Sequence, residues 1–253
     1  MTNLLPAFTG APAVNTVYQV DALTLLAALP DESVDLIATD PLYGIGYKPG
    51  QRSGFGGKTR RMAAGYTVKD DFDASWLPEA ARVLKDGGAF YMCARWDVLE
   101  RWKNAVNASG LRVKQRIIWD KGHWGQGDLD YYGSQTEDVL FAVKGKHELR
   151  WDKRFGNVWR IGGQGNIWNE NRAKYNITQK PILLMARMIE LSSRQGDLVL
   201  DPFMGSGTTL VAAKRLKRHF LGCDIDLEQV NFATLRLQQP YTQNMFAVQE
   251  QPA

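Results

Sequence analysis

Hydrophobic residues along the chain follow two alternating patterns. Short runs of consecutive apolar residues indicate buried strands, at 17–21, 34–39, 89–93, 113–119, 138–143, 197–200 and 219–223. Apolar residues that recur every three or four positions indicate helices, at 23–29, 77–84, 96–108, 180–192, 210–216 and 227–237. The Asp-Gly-Gly sequence at 86–88 is expected to cap the second helix. Strands that alternate with helices predict an α/β fold with a Rossmann-like, doubly wound and mostly parallel sheet.

Two segments depart from this pattern. Residues 44–69 are rich in glycine and carry six basic residues and no acid, so we expect a long, mobile basic loop there. Residues 121–175 lose the periodicity except for one strand, and they combine glycines, basic residues and aromatics. The predicted organisation is therefore a core of residues 15–120 and 176–237, an irregular insertion at 121–175, and a flexible tail at 238–253.

Composition narrows the class of protein only slightly. The 253 residues, with a net charge of +4, suffice for one α/β domain with an insertion. Cys93 and Cys223 lie in apolar runs, which predicts buried thiols in a reducing compartment rather than a disulfide framework. The three histidines lack the spacing of metal ligands, so no metal site is expected. With no signal peptide in the first residues and no run of ~18 apolar residues, we expect a cytoplasmic protein that does not contact membranes.

The stretch 201–209, Asp-Pro-Phe-Met-Gly-Ser-Gly-Thr-Thr, reads as the end of a strand, a tight glycine turn and the start of a helix. Glycines allow a ligand to approach the backbone, and a helix N-terminus favours polar or anionic groups, so this is a predicted small-molecule pocket. It is not a P-loop, because no Lys follows Gly207, and Leu210 breaks the dinucleotide-binding pattern. Asp224, at the end of the next strand, is a candidate ligand for ribose hydroxyls, with helix capping as the alternative. We assign the capping role to Asp226.

A second candidate site is Asp40-Pro41-Leu42-Tyr43, at the end of the predicted strand 34–39. The Asp40 carboxylate and the Pro41 carbonyl could accept two hydrogen bonds from one amino group, and the Tyr43 ring could stack on a base. Taken alone, the same residues fit an ordinary turn between a strand and a loop.

Together the two motifs resemble those of DNA amino-methyltransferases, D-P-P-Y and D-P-F-x-G-S-G-T-T. Their order, with the catalytic motif first, resembles that of the circularly permuted β-group. Residues 178–181 resemble the family's T-Q-K-P, residues 220–224 resemble its F-I-G-x-E, and residues 117–121 and 137–140 also match family positions. Asp21 stands where the family has an acid near the adenine of its cofactor.

The resemblance implies a class I methyltransferase that uses S-adenosylmethionine and needs no metal. Its implied catalytic residues are Asp40, Pro41 and Tyr43. Its implied cofactor-binding residues are Asp21, Lys180, Asp201, Phe203, Gly205, Ser206, Gly207, Thr208 and Asp224. The implied partner is double-stranded DNA with a flipped target base, while a homodimer and a cognate restriction enzyme stay open. Residues 121–175 are the candidate target-recognition segment, with a solvated irregular insertion as the alternative. The loop 44–69 is expected to clamp DNA or to close over the base.

The main choice that stays open is whether the target base is adenine or cytosine. In the resembling family, Asp at the first motif position usually accompanies the 6-amino group of adenine and Ser the 4-amino group of cytosine, so Asp40 favours adenine. Methylation of carbon 5 of cytosine is disfavoured, because neither cysteine follows a proline as such nucleophiles typically do. Leu42 replaces the second Pro of the motif but leaves the Pro41 carbonyl in place. RNA or protein methylation, a non-catalytic nucleic-acid-binding module and, more weakly, a nicotinamide-dependent oxidoreductase are the rival classes.

Overall fold

A computed structural model describes residues 10–44, 71–124, 132–150, 155–162 and 179–240. The predicted basic loop 44–69, apart from its first residue, and the tail from residue 241 lie outside these ranges. Within these ranges eight strands form one sheet: β1 (Thr16–Gln19), β2 (Val34–Thr39), β3 (Leu84–Ala94), β4 (Arg112–Asp120), β5 (Thr136–Val143), β6 (Val158–Arg160), β7 (Leu198–Asp201) and β8 (His219–Asp224). Their order across the sheet is β1-β8-β7-β2-β3-β5-β4-β6.

All neighbouring strands run parallel except β5, which is antiparallel to both β3 and β4. The described helices are α1 (Ala22–Ala27), α2 (Leu77–Val83), α3 (Leu99–Ala108), α4 (Ile182–Ser192), α5 (Thr208–Arg215) and α6 (Leu227–Gln238). Buried residues of α1, α2 and α3 pack on one face of the sheet, and those of α4, α5 and α6 pack on the other. The predicted α/β fold with a doubly wound, mostly parallel sheet is confirmed.

The prediction of a helix cap at 86–88 is wrong. Leu84 already has extended backbone, with ψ 131°, and begins β3 directly after α2. Gly87 has a positive φ of 77°, and its N–H donates to the carbonyl of Lys144 at 2.9 Å. The glycines therefore lie inside β3, where they join it to the residue after β5, instead of closing a helix.

The segment 121–175 is more closely joined to the core than its irregular sequence indicates. Its strand β5 lies between β3 and β4, where Ala94 pairs with Asp138 and Asp120 pairs with Thr136. Its second strand, β6, extends the sheet beside β4. Two strands of the predicted insertion thus belong to the central sheet, and its role in target recognition stays a prediction.

The sheet brings the two candidate motifs together at one edge. Strands β2 and β7 are parallel neighbours, and the helices that next pack on the sheet after them, α2 and α5, lie on opposite faces. Such a reversal opens a crevice at the carboxyl ends of the strands, where α/β proteins bind ligands. Among the described residues, no helix combines the length and the apolar character needed to cross a membrane.

Candidate active site

Asp40 follows β2 directly, and both of its carboxylate oxygens accept hydrogen bonds. The Tyr43 hydroxyl donates to Oδ1 at 2.8 Å, and the Lys180 ammonium contacts Oδ2 at 3.0 Å. Lys180 also donates to the Tyr43 hydroxyl at 3.1 Å. The structure thus groups Lys180 with the predicted catalytic residues, and its predicted contact with a cofactor stays a prediction.

A series of ion pairs extends from Asp40 through Lys180 and Glu137 to Lys121. Lys180, whose side chain is only 10% exposed, lies 3.1 Å from Glu137, and Glu137 lies 3.4 Å from Lys121. Burial opposes the charged form of Lys180, but the Asp40 carboxylate, then Tyr43 and Glu137, raise its pKa well above the ordinary value. Lys180 is therefore a buried ammonium ion held by carboxylates on two sides.

Tyr43 is fixed as a phenol at the centre of this group. Burial and then the neighbouring Asp40 carboxylate raise the Tyr43 pKa well above its ordinary value, so the hydroxyl keeps its proton and can donate. The buried indole of Trp102 donates to the Tyr43 carbonyl at 3.2 Å, which anchors the backbone after the motif. Leu42, the residue that departs from the family motif, is 49% exposed.

Asp201 lies inside the protein beneath the glycine turn. It is 2% exposed, and its Oδ1 accepts hydrogen bonds from the Thr39 hydroxyl at 2.7 Å and from the Phe203 N–H at 3.1 Å. Burial raises the Asp201 pKa to about 7. Asp201 therefore ties the end of β7 to the end of β2 and shapes the turn, whereas a direct contact with a cofactor stays a prediction.

The turn itself requires glycine at two positions. Gly205 and Gly207 have φ angles of 49° and 79°, which residues with a Cβ rarely adopt. A Cβ on Gly207 would also lie 2.7 Å from the Cβ of Ala233 on α6. The glycines therefore serve both the bend and the close packing of the turn against α6.

Asp224 ends β8 beside this turn, as the sequence predicts. Its Oδ2 accepts a hydrogen bond from the Gly205 N–H at 3.1 Å, and its Oδ1 accepts one from the Asp226 N–H at 2.9 Å. Burial raises the Asp224 pKa. Asp226 caps α6 by accepting the Glu228 N–H at 2.8 Å, which confirms the capping role assigned to it. Asp224 thus stays beside the pocket rather than serving as the cap of the helix.

Arg236 is a residue of this site that sequence reasoning missed. It is 1% exposed, and its Nη1 donates to the Ser206 carbonyl at 2.5 Å, the Ser206 hydroxyl at 3.2 Å and the Thr208 hydroxyl at 3.1 Å. One guanidinium therefore connects α6 to the middle of the glycine turn. A signal existed in the sequence, because Arg236 lies three residues after Ala233 and therefore falls on the buried face of α6.

Asp21 lies farther along the same edge, two residues after β1. Its carboxylate caps α1 by accepting the Thr24 N–H at 2.9 Å and the Thr24 hydroxyl at 2.5 Å. Burial opposes the charged form of Asp21, but the hydrogen bonds from Thr24 outweigh it and lower the Asp21 pKa. Strand β1 pairs with β8, with Gln19 opposite Asp224, so a contact of Asp21 with the adenine of a cofactor is compatible with the topology and stays a prediction.

Comparison with known proteins gives consistent matches over most of the chain. The sequence model of a family described as DNA methylase matches residues 34–235. The type II methyltransferase M2.DpnII of Streptococcus pneumoniae is 30% identical over 238 residues, which cover 86% of this chain and 87% of that protein. M2.MboI of Moraxella bovis is 26% identical over 253 residues, which cover 91% and 90%.

Solved structures match the fold at similar coverage. The crystal structure of the M1.HpyAVI–SAM complex superposes with a TM-score of 0.65 at 25% identity, covering 88% of this chain and 99% of that one. The PvuII DNA methyltransferase, described as cytosine-N4-specific, gives a TM-score of 0.65 at 16% identity, covering 90% and 88%, which is a likeness of fold alone.

Proposed function

Because the chain belongs to the DNA methylase family, whose members methylate amino groups of the N6 or N4 class, we propose that it transfers a methyl group to the 6-amino group of adenine in duplex DNA. Its cofactor is S-adenosylmethionine. The observation that supports the proposal most directly is the position of Asp40. Its carboxylate stands at the end of β2, and the Thr39 hydroxyl beside it is hydrogen-bonded to the strand that carries the glycine turn.

The residues at the turn fit the proposed cofactor. Gly205 and Gly207 leave the backbone bare where a Cβ would strain it, and Asp224 presents a half-buried carboxylate that contacts only backbone N–H groups in the hydrogen bonds described for it. A carboxylate has about four acceptor sites, so Asp224 can still receive ribose hydroxyls. Phe203, Ser206 and Thr208 would surround the methionine part. When bound, the cofactor supplies an electrophilic methyl group on a sulfonium sulfur.

The residues after β2 would activate the amine. An exocyclic amino nitrogen is a weak nucleophile, because its lone pair is delocalised into the base. If Asp40 and the Pro41 carbonyl accept its two N–H groups, the nitrogen is drawn towards a tetrahedral geometry that frees the lone pair. As the bond from the nitrogen to the methyl group forms, the bond from the methyl group to sulfur would break and the neutral thioether would leave. The nitrogen would then give up one proton, and the Asp40 carboxylate is the proposed acceptor. Tyr43 and Lys180 hold that carboxylate in place through their contacts with its two oxygens.

The target base must leave the helix to reach this group, because its amino nitrogen is shielded within the stack. The ring of Tyr43 is the proposed stacking partner of the flipped base. The segment 121–175 is proposed to read the sequence around the base and the loop 44–69 to clamp the duplex. Adenine is proposed over cytosine because Asp, rather than Ser, stands at position 40. A homodimer, a cognate restriction enzyme and a cytoplasmic location stay predictions.

The proposal is tested by the bases found in DNA from a host that expresses the protein. Nucleoside mass spectrometry should show N6-methyladenine with the wild type and none with Asp40→Ala. A matched control is Asp31→Ala, whose exposed carboxylate lies before β2 at the opposite edge of the sheet. N4-methylcytosine would replace the proposal with its alternative, and unmodified DNA together with intact cofactor binding would favour a non-catalytic DNA-binding module.

A further inference from the structure

The three most exposed tryptophan and tyrosine side chains of the described residues lie at the edge of the sheet that carries Asp40. Trp96 is 71% exposed, Trp124 is 66% exposed and Tyr132 is 97% exposed. Other aromatic side chains, such as Trp102 and Trp119, are fully buried in the core. Large aromatic side chains in water forgo the burial that normally stabilises them, so their concentration at one place indicates an interaction surface.

Strand pairing places Trp96 beside the catalytic motif. Thr39 of β2 pairs with Met92 of β3, and the two strands run parallel. Tyr43 therefore lies four residues beyond one member of this pair, and Trp96 lies four residues beyond the other. Leu42, which is 49% exposed, lies in the segment between the end of β2 and Tyr43.

The other two aromatics lie at the neck of the β4–β5 connection. Asp120 pairs with Thr136, and the next residues remain paired, since the Lys121 N–H donates to the Gln135 carbonyl at 3.0 Å. Trp124 and Tyr132 each lie four residues beyond that pair of strand ends. The indole of Trp124 packs on the residues that lead into β5, because a Cβ on Gly133 would come within 2.5 Å of it.

These residues form a row over four adjacent strands, in the order β2, β3, β5 and β4. By register, Trp124 and Tyr132 lie four residues beyond the level that Trp96 holds. Cationic groups accompany the row, each paired with a carboxylate: Arg95 with Asp97 after β3, Lys121 with Glu137 after β4, and Arg160, with a 70% exposed side chain, with Asp120 at the end of β6. Flat apolar surfaces among cations suit bases and phosphates together.

We propose that Trp96, Trp124 and Tyr132 form the surface that holds the DNA duplex around the flipped base, an inference that rests on the function proposed above. Trp96, nearest to the catalytic motif by strand register, contacts the bases left exposed when the target leaves the stack. Trp124 and Tyr132 extend the contact towards the β4 side of the sheet. The occupant is DNA rather than a protein, because the row begins at the carboxylate that must receive the base.

The inference is tested with Trp96→Ala and Trp124→Ala in the full-length protein. The probe is a short duplex that contains the recognition site found by sequencing DNA from the expressing host. Loss of one stacking contact should weaken duplex binding by about 5- to 100-fold, while the Kd for S-adenosylmethionine remains unchanged. Leu149→Ala removes a 44% exposed side chain beyond the far end of β5 and serves as the matched control, with unchanged DNA binding.

A second probe separates stacking from a general loss of structure. If Trp96 stabilises the opened duplex, an abasic site opposite the target adenine should restore most of the methylation rate of Trp96→Ala, since no base pair must then be broken to open the duplex. Unchanged duplex affinity in both variants would overturn the inference. A change in oligomeric state with unchanged DNA affinity would instead identify the surface as a protein interface. Methylation of the duplex by the wild type keeps the proposed function intact whichever result is obtained.

Discussion

Substitution of Asp201 by Asn should change the pH dependence of stability in a defined direction. Asp201 is 2% exposed, and burial raises its pKa to about 7 from an ordinary value of 3.8. Between these values the folded chain holds a proton that the unfolded chain has released. Stability therefore falls as the pH rises from about 4 to about 7, and the reduced level persists above that range.

The size of the effect follows from the two pKa values. A difference of about 3 units corresponds to ~4 kcal/mol in total, of which roughly 2 to 3 kcal/mol is lost between pH 5 and pH 8. Asn at position 201 has no charge to bury and retains an oxygen that can accept from Thr39 and the Phe203 N–H. The free energy of unfolding of Asp201→Asn minus that of the wild type should therefore be larger at pH 8 than at pH 5, by roughly 2 to 3 kcal/mol.

Urea unfolding followed by tryptophan fluorescence measures this difference. Comparing the free energy of unfolding of variant and wild type at each pH removes the contributions of groups that titrate alike in both proteins. If the difference between variant and wild type were equal at pH 5 and pH 8, the Asp201 carboxyl would be ionised throughout. A raised pKa for the buried Asp201 carboxyl would then be refuted.

Three further substitutions probe the site. Lys180→Met should lower kcat more than it weakens cofactor binding, and it should destabilise the fold by ~3 kcal/mol, because it leaves Asp40 and Glu137 without their shared cation. Adding Glu137→Gln should recover part of the stability. A selective loss of cofactor affinity would contradict the grouping of Lys180 with Asp40. Arg236→Met should weaken S-adenosylmethionine binding about tenfold in calorimetry, with partial rescue by Arg236→Lys, because the guanidinium braces the turn. Gly207→Ala should lower the melting temperature and cofactor affinity, because its φ of 79° costs ~1–2 kcal/mol with a Cβ; an unchanged Tm would show that the turn tolerates a side chain.

Local patterns in the sequence are sufficient for most elements of the fold. The strand 34–39 has the predicted bounds, and the segments that flank the glycine turn are the predicted strand and helix. The direction and position of β5 could not be predicted, because an apolar run has the same appearance in a parallel or an antiparallel strand. For the same reason the sequence pattern assigns the segment 121–175 to an insertion, although two strands of this segment belong to the central sheet.

The candidate site is predictable where a motif is continuous and obscure where distant residues meet. Asp40 and Tyr43 are close in sequence, whereas Lys180 joins them across 137 or more residues. Its contacts depend on where α4 packs, which no local pattern specifies. Arg236 differs from Lys180, because its sequence pattern does carry a signal. A charged residue on the apolar face of a helix indicates a buried polar partner.

The most direct measurement is a single-turnover assay with S-adenosylmethionine and duplex DNA that contains the recognition site. The wild type should convert the 6-amino group of one adenine to its methylated form, and Asp40→Ala should reduce the rate by at least about 10²- to 10³-fold while its cofactor affinity stays near that of the wild type. A rate for Asp40→Ala close to that of the wild type would contradict the assignment of Asp40 to the amine, and with it the account of the site.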